Sequence, residues 1–257
     1  MSERVVAGNP GALFDLTGKV ALVTGGSRGL GREMVLAFAR AGADVVIASR
    51  KLDNCKALAE EVAATWPRRA LPVACHVGHW EECDELADRA YGYFGTVDIL
   101  VNNAGMSPLA PSSAETSEEL FDKVIGVNFK GPFRLSALIG QRMYDSGGGS
   151  IINVSSSGAL FPSPRFGPYA GAKAALNALT TVFAREFAPR VRVNTLSAGP
   201  FLTDISKHWP ADSERSWHNA AGRAGEPEEV VTTALYLASA ASSYTTGALI
   251  RVDGGLY

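Results

Sequence analysis

Lys19-Val20-Ala21-Leu22-Val23-Thr24-Gly25-Gly26-Ser27-Arg28-Gly29-Leu30-Gly31 is the stretch that decides the fold. Its first six residues read as a short buried strand, and Met34, Leu36, Ala37 and Phe38 beyond it continue as a helical pattern. Strand, glycine loop and helix in that order place a pyrophosphate on a helix N-terminus. The glycines allow positive φ and let the backbone approach a ligand closely. The spacing is GxxxGxG rather than GxGxxG. The next apolar run, Asp44-Val45-Val46-Ile47-Ala48-Ser49, ends about 20 residues after the loop, where a ribose-reading residue belongs.

The same alternation continues to the C-terminus. Apolar runs of strand length fall at 19–24, 44–49, 71–76, 97–101, 150–155, 191–196 and 248–252. Helical stretches are expected at about 29–42, 53–65, 80–94, 117–145, 169–188 and 227–240. Alternating elements with near-continuous apolar strands imply an α/β fold: a Rossmann-type, doubly wound parallel sheet of about seven strands, covered on both faces. The chain of 257 residues suits one domain, at 15–257, after a loosely ordered tail at 1–14. Gly147-Gly148-Gly149 reads as a helix stop before the fifth strand. Thr203 to Gly222 breaks the rhythm with polar residues, His208, Trp209, Pro210 and Trp217. A connection of that length reads as a substrate lid at about 203–222.

Composition narrows the function. A net charge of −2 and a pI of about 6.1 supply no basic field for nucleic acid or anionic lipid. Cys55, Cys75 and Cys83 form no CxxC and no even framework, which fits a reducing compartment and argues against disulfides and zinc. His79, His208 and His218 show no metal-ligand spacing, so no metal is expected. No apolar run reaches 18 residues and the start is not signal-like, so a cytoplasmic location is expected.

Tyr169-Ala170-Gly171-Ala172-Lys173 carries the chemistry. Residues at i and i+4 share one helix face, so a phenol and an ammonium are aimed at one spot. A free phenol has a pKa of about 10, and a nearby cation favours its ionised form. The pair is one way to build a general acid for a carbonyl oxygen.

Together these residues resemble the short-chain dehydrogenase/reductase family in its compact single-domain form, similar to 3-oxoacyl-carrier-protein reductases and related carbonyl reductases. The loop Thr24-Gly25…Gly29…Gly31, the Asn102-Asn103-Ala104-Gly105 run, Asn128, Ser156, Tyr169 and Lys173 match its motifs in order. Tyr169 follows Ser156 by 13 residues and Ser156 follows Asn128 by 28, as in the family. Arg223-Ala224-Gly225-Glu226-Pro227-Glu228-Glu229, Tyr244-Thr245-Thr246-Gly247 and Val252-Asp253-Gly254-Gly255 look like its C-terminal signatures.

The resemblance implies hydride transfer between a nicotinamide and a carbonyl or secondary alcohol. Tyr169 would be the acid or base, Ser156 a hydrogen-bond donor to the carbonyl oxygen, and Lys173 the group that lowers the tyrosine pKa and holds the nicotinamide ribose. Asn128 would hold a water linking Lys173 to solvent. Cofactor contacts are implied at Gly25, Ser27, Arg28, Gly29, Leu30, Gly31, Ser49, Arg50, His76, Val77, Asn103, Ala104 and Gly105. Further along the chain they fall at Tyr169, Lys173, Gly199, Pro200, Phe201 and Thr203. Ser49 and Arg50 stand where an acidic residue would select NAD, and Arg28 adds a second guanidinium, so NADP(H) is expected to be preferred, with NAD(H) open.

Two places depart from the family: His76 where an acidic or amide residue usually meets adenine, and Ala198-Gly199-Pro200 where Pro-Gly is usual. Enoyl reductases of the superfamily also carry Ala-Gly-Pro, but their tyrosine–lysine spacing is longer. An enoyl reductase is therefore the enzymatic alternative, and a non-catalytic dinucleotide sensor the alternative from another class. Met106, Leu109, Leu160, Phe161, Phe166, Phe201, Trp209 and Trp217 are expected to form an apolar substrate wall. Arg165, Lys207, His208 and Arg215 leave room for an anionic tail such as an acyl thioester carrier. Phe129, Phe133, Leu176, Leu179 and Phe183 offer apolar surface for a homodimer or homotetramer, with core positions as the alternative for most of them.

Overall fold

A computed structural model describes residues 10–203 and 219–257. Seven strands form one parallel sheet in the order β3-β2-β1-β4-β5-β6-β7. They are β1 (Val20–Thr24), β2 (Asp44–Ser49), β3 (Ala70–Ala74), β4 (Ile99–Asn102), β5 (Gly149–Ser156), β6 (Val191–Ala198) and β7 (Leu249–Val252). The α-helices are α1 (Gly29–Arg40), α2 (Leu52–Thr65), α3 (Trp80–Phe94), α4 (Glu118–Ile125), α5 (Gly131–Ser146), α6 (Gly167–Glu186) and α7 (Val231–Ala238).

Alternating side chains of each strand enter two separate cores. From β1, Ala21 and Val23 join Phe38 of α1, Leu58 of α2 and Leu237 of α7. Val20 and Leu22 face the other way and join Leu86 of α3, Ile139 of α5 and Leu176 of α6. Both faces are covered, so every residue of β1 is buried. The strand order reverses between β1 and β4, which opens a crevice at the carboxyl ends of the strands.

Four sequence expectations change here. The single helix expected at 117–145 is three pieces, because Gly126–Lys130 forms a π turn between α4 and α5. Period alone does not register one extra residue in a turn. Pro10–Phe14, expected within a loose tail, makes a 3₁₀ turn against Ala240–Ser242, and residues 1–9 lie outside the described residues. Leu176, Leu179 and Phe183 are core residues rather than assembly surface; Phe133 is 38% exposed. Phe201 is buried in the first core, with Gly225 so close that a Cβ there would stand 2.7 Å from its ring. Its side chain is therefore no part of a substrate wall. The glycine stop is as expected, with Gly147 at φ 114° closing α5.

Candidate active site

The glycine loop leaves β1 at Thr24, which is buried. The Thr24 hydroxyl donates to the Val101 carbonyl (3.2 Å) and accepts the N–H groups of Asn103 and Ala104, both at 3.1 Å. Asn103 Nδ2 donates back to the carbonyls of Thr24 (2.9 Å) and Gly25 (3.2 Å). The loop is thus stitched to the end of β4 across the crevice. A Cβ on Gly31 would lie 2.3 Å from the Gly25 carbonyl oxygen, so only glycine lets α1 start this close to the loop. Arg28 stands at the N-cap of α1 and its side chain makes no capping bond to the helix, and the first turn holds no acidic residue. Those N–H donors suit a pyrophosphate, and the residues present fit a dinucleotide. Gly31→Ala is expected to destabilise the fold by about 1–3 kcal/mol through overpacking. A urea midpoint equal to wild type would show that the loop adapts.

At the far end of the crevice, Ser27 Oγ donates to Ser49 Oγ at 2.9 Å, joining the loop to the end of β2. Arg28 and Arg50 flank this pair, both exposed. No carboxylate follows β2, since Ser49, Arg50 and Lys51 occupy that turn. His76, beyond β3, stacks on His79 with ring centroids 4.4 Å apart. Its Nδ1 accepts the Gly78 N–H at 3.2 Å, which leaves the ring proton of the neutral form on Nε2. Burial, then His79 and Arg50, hold this imidazole below its ordinary pKa.

Ser156, Tyr169 and Lys173 meet at the end of β5. Ser156 is the last residue of that strand and its Oγ accepts the Gly158 N–H at 3.0 Å. Ser155 bonds instead to the Lys173 carbonyl at 3.3 Å, and Ser157 is buried. Tyr169 and Lys173 lie one turn apart on α6, the ammonium 5.9 Å from the phenol ring centre. Lys173 is buried and donates to the Val154 carbonyl at 2.7 Å. Burial lowers its pKa to about 8. Burial also raises the Tyr169 phenol above its ordinary value, partly opposed by a hydrogen bond from Ser156. Removal from water thus outweighs that hydrogen bond.

Asn128 sits in the π turn and is fully buried. Its Nδ2 donates to the carbonyls of Val124 and Met106, both at 2.9 Å, and its Oδ1 accepts the Met106 N–H at 3.3 Å. The side chain is a strap that fixes the segment after Gly105, and both of its N–H donors are taken. A Cβ on Gly105 would stand 3.1 Å from Asn128 Oδ1 and 3.6 Å from Lys173 Nζ, so that glycine lets the two groups approach.

On the substrate side, the Phe166 ring meets the Tyr169 ring edge-on at 6.1 Å, and Phe161 is 40% exposed. Met106 is half-buried beside Asn128, and Leu109 and Leu160 are exposed nearby in sequence. Lys207, His208, Trp209, Arg215 and Trp217 lie outside the described residues, with most of the expected lid. At the end of β6, Gly199 abuts Asp253, and a Cβ there would be 2.5 Å from the Asp253 Cα. Thr203 reaches the loop, 3.4 Å from a Cβ built on Gly29.

A buried polar chain crosses beneath the site. Asn102 Nδ2 donates to Ser136 Oγ (2.9 Å) and Asn153 Oδ1 (2.8 Å), and Asn153 Nδ2 donates to Thr180 Oγ1 (2.9 Å). Sequence reading missed it, although an asparagine inside Ile151-Ile152-Asn153-Val154 was a visible signal. The Val154 carbonyl that anchors Lys173 carried no signal, because a backbone acceptor has no residue type.

The protein-family model described as enoyl-(acyl carrier protein) reductase matches residues 25–257. An uncharacterized oxidoreductase of Mycobacterium tuberculosis is 40% identical over 249 residues, covering 95% of this chain and 94% of that protein. A crystal structure of a short-chain type dehydrogenase/reductase from Mycobacterium marinum superposes with a TM-score of 0.88 at 38% identity, covering 94% of this chain and 96% of that one. A 7α-hydroxysteroid dehydrogenase complexed with NADH and 7-oxo glycochenodeoxycholic acid superposes with a TM-score of 0.91 at 31% identity, covering 97% and 98%.

Proposed function

The chain belongs to the short-chain dehydrogenase/reductase family of oxidoreductases, and from that premise we propose that it is an NADP(H)-dependent carbonyl reductase or alcohol dehydrogenase. The observation that carries the reading is the meeting of Ser156, Tyr169 and Lys173 at the carboxyl end of β5, beside the crevice that fits a dinucleotide. The nicotinamide cofactor, when bound, supplies or accepts the hydride. Ser156 orients the carbonyl oxygen by hydrogen bonding. Tyr169, kept protonated by burial, gives its proton to the oxygen as negative charge develops there. Lys173, held by the Val154 carbonyl, supplies the positive field that eases this transfer. Asn128 keeps Met106 and the π turn in place around Lys173, and a water it holds would refill the proton from solvent.

Oxidation of NADPH with a panel of aliphatic, aromatic and 3-oxoacyl thioester ketones tests the reading. No turnover with any of them would refute it. The family model's description favours a second reading, reduction of an enoyl thioester. The four-residue Tyr169–Lys173 spacing favours the carbonyl instead. Crotonyl thioester reduced faster than acetoacetyl thioester would reverse that order.

The titration of Lys173 predicts a pH profile. Its ammonium is charged below its folded pKa of about 8 and neutral above it. Tyr169, raised by burial, remains an acid across this range. Carbonyl reduction by the free enzyme is therefore expected to fall as pH rises through about 8. A kcat/KM flat from pH 7 to about 9 would remove the Lys173 charge from the rate.

Assembly into a homodimer or homotetramer is also expected. Phe121 and Phe133 are 48% and 38% exposed on α4 and α5, and Val182 is 54% exposed on α6. Light scattering that returned the 27.1 kDa of one chain at micromolar concentration would refute it.

A further inference from the structure

Arg165 holds φ at 76° and is the one non-glycine with positive φ among the described residues; glycine takes the others. A β-carbon is disfavoured there by contact with its own backbone, at a cost of order 1 kcal/mol that glycine does not incur. Such an outlier points toward function when the surroundings enforce it. They do so here. The Ala110 N–H donates to the Arg165 carbonyl at 3.1 Å, and Arg165 Nε donates back to the Ala110 carbonyl at 3.1 Å. Ala110 is buried, so the anchor is firm. The reciprocal pair ties the segment after β4 to the segment between β5 and α6, the two walls of the substrate side.

The fixed guanidinium belongs to the segment that leads into α6 and the candidate site. Arg165 directly precedes Phe166, whose ring meets that of Tyr169, and it stands four residues before Tyr169 itself. Nε is committed to Ala110, while the two terminal nitrogens have no acidic side chain beside them among the described residues, and the residue is exposed. Arg251 lies over the Phe161 ring at 5.0 Å and is paired with Asp253 at 2.7 Å. A planar fork with no acidic partner among the described residues, carried by segments that also hold the exposed side chains of Leu109 and Phe161, suits a carboxylate on an apolar body.

We propose that Arg165 is a specificity-determining residue and that the preferred substrates are carbonyl compounds with an apolar body and a carboxylate. This rests on the carbonyl reductase reading and narrows it. The test uses matched ketone pairs, each a keto acid and its methyl ester, such as 4-acetylbenzoate and methyl 4-acetylbenzoate, assayed with NADPH in the full-length protein. The wild type is expected to favour the acid by about tenfold or more in kcat/KM, mainly through KM, with the gap narrowing as salt is added. Arg165→Gly, which accepts the same φ without strain, is expected to remove the acid preference and leave the esters within about twofold. Arg165→Lys keeps the charge without the fork and is expected to restore part of it. Equal loss on acids and esters would show a loop staple only and overturn the proposal. So would an unchanged ratio, or a wild type that prefers the esters. Turnover of esters without acid preference sinks this inference alone, whereas no turnover of any carbonyl sinks the reading beneath it.

Discussion

Tyr169→Phe is expected to lower kcat for carbonyl reduction by about 10²–10⁴, the usual contribution of a positioned general acid. The substitution removes one hydroxyl and keeps the ring that packs edge-on against Phe166. Folding should survive, and so should cofactor binding, because the loop at Gly25–Gly31 and the Thr24–Asn103 stitch do not involve the phenol. The loss should therefore appear in kcat, with the thermal midpoint and the NADPH dissociation constant near those of wild type. The pH profile adds a second readout. With no phenol, the fall above pH about 8 assigned to Lys173 has no proton transfer to act on and should flatten. A variant that keeps most of its kcat when chemistry limits the rate would remove Tyr169 from the mechanism.

The placement of Ser156, Tyr169 and Lys173 together was legible because the proposed chemistry needs particular residue types at helical and strand-end spacings. Ser156, Tyr169 and Lys173 meet as the one-turn spacing and the strand end require. The electrostatic half was not legible. A sequence shows a cation beside a phenol but not how dry both are, and dryness raises Tyr169 and lowers Lys173. Asn128 was visible as a residue out of place in a helix, yet the π turn that accommodates it depends on carbonyls of Val124 and Met106 that sequence does not mark. Phe201 misled for a related reason: an aromatic after a strand reads as wall or core alike until Gly225 is seen against it. The sheet itself was plain throughout, since strands buried on both faces must be apolar at nearly every position.

Cofactor choice turns on the short span between β1 and α2. Wild type is expected to use NADPH over NADH by more than about tenfold in kcat/KM, since each charge-assisted bond to a phosphate contributes about 1.5–3 kcal/mol. The hydroxyl pair Ser27–Ser49 closes the end of β2, and Arg28 and Arg50 lie exposed on either side. Kinship does not decide the matter, because a structural neighbour of this chain holds NADH. The argument is electrostatic: a carboxylate at position 49 would repel a 2′-phosphate and accept the two ribose hydroxyls, whereas Ser49 does neither strongly. Ser49→Asp with Arg50→Ile should therefore weaken NADPH by about tenfold to a thousandfold, through loss of one fork and gain of one repulsion, while NADH improves. The double change should spare the fold. Ser49 is only half-buried, and loss of its 2.9 Å bond to Ser27 falls on a partly exposed hydroxyl. Titration of both nucleotides by quenching of protein fluorescence reads the outcome without turnover. Equal affinity of the wild type for the two nucleotides, or a double variant that binds NADPH as before, would show that neither guanidinium reads a phosphate.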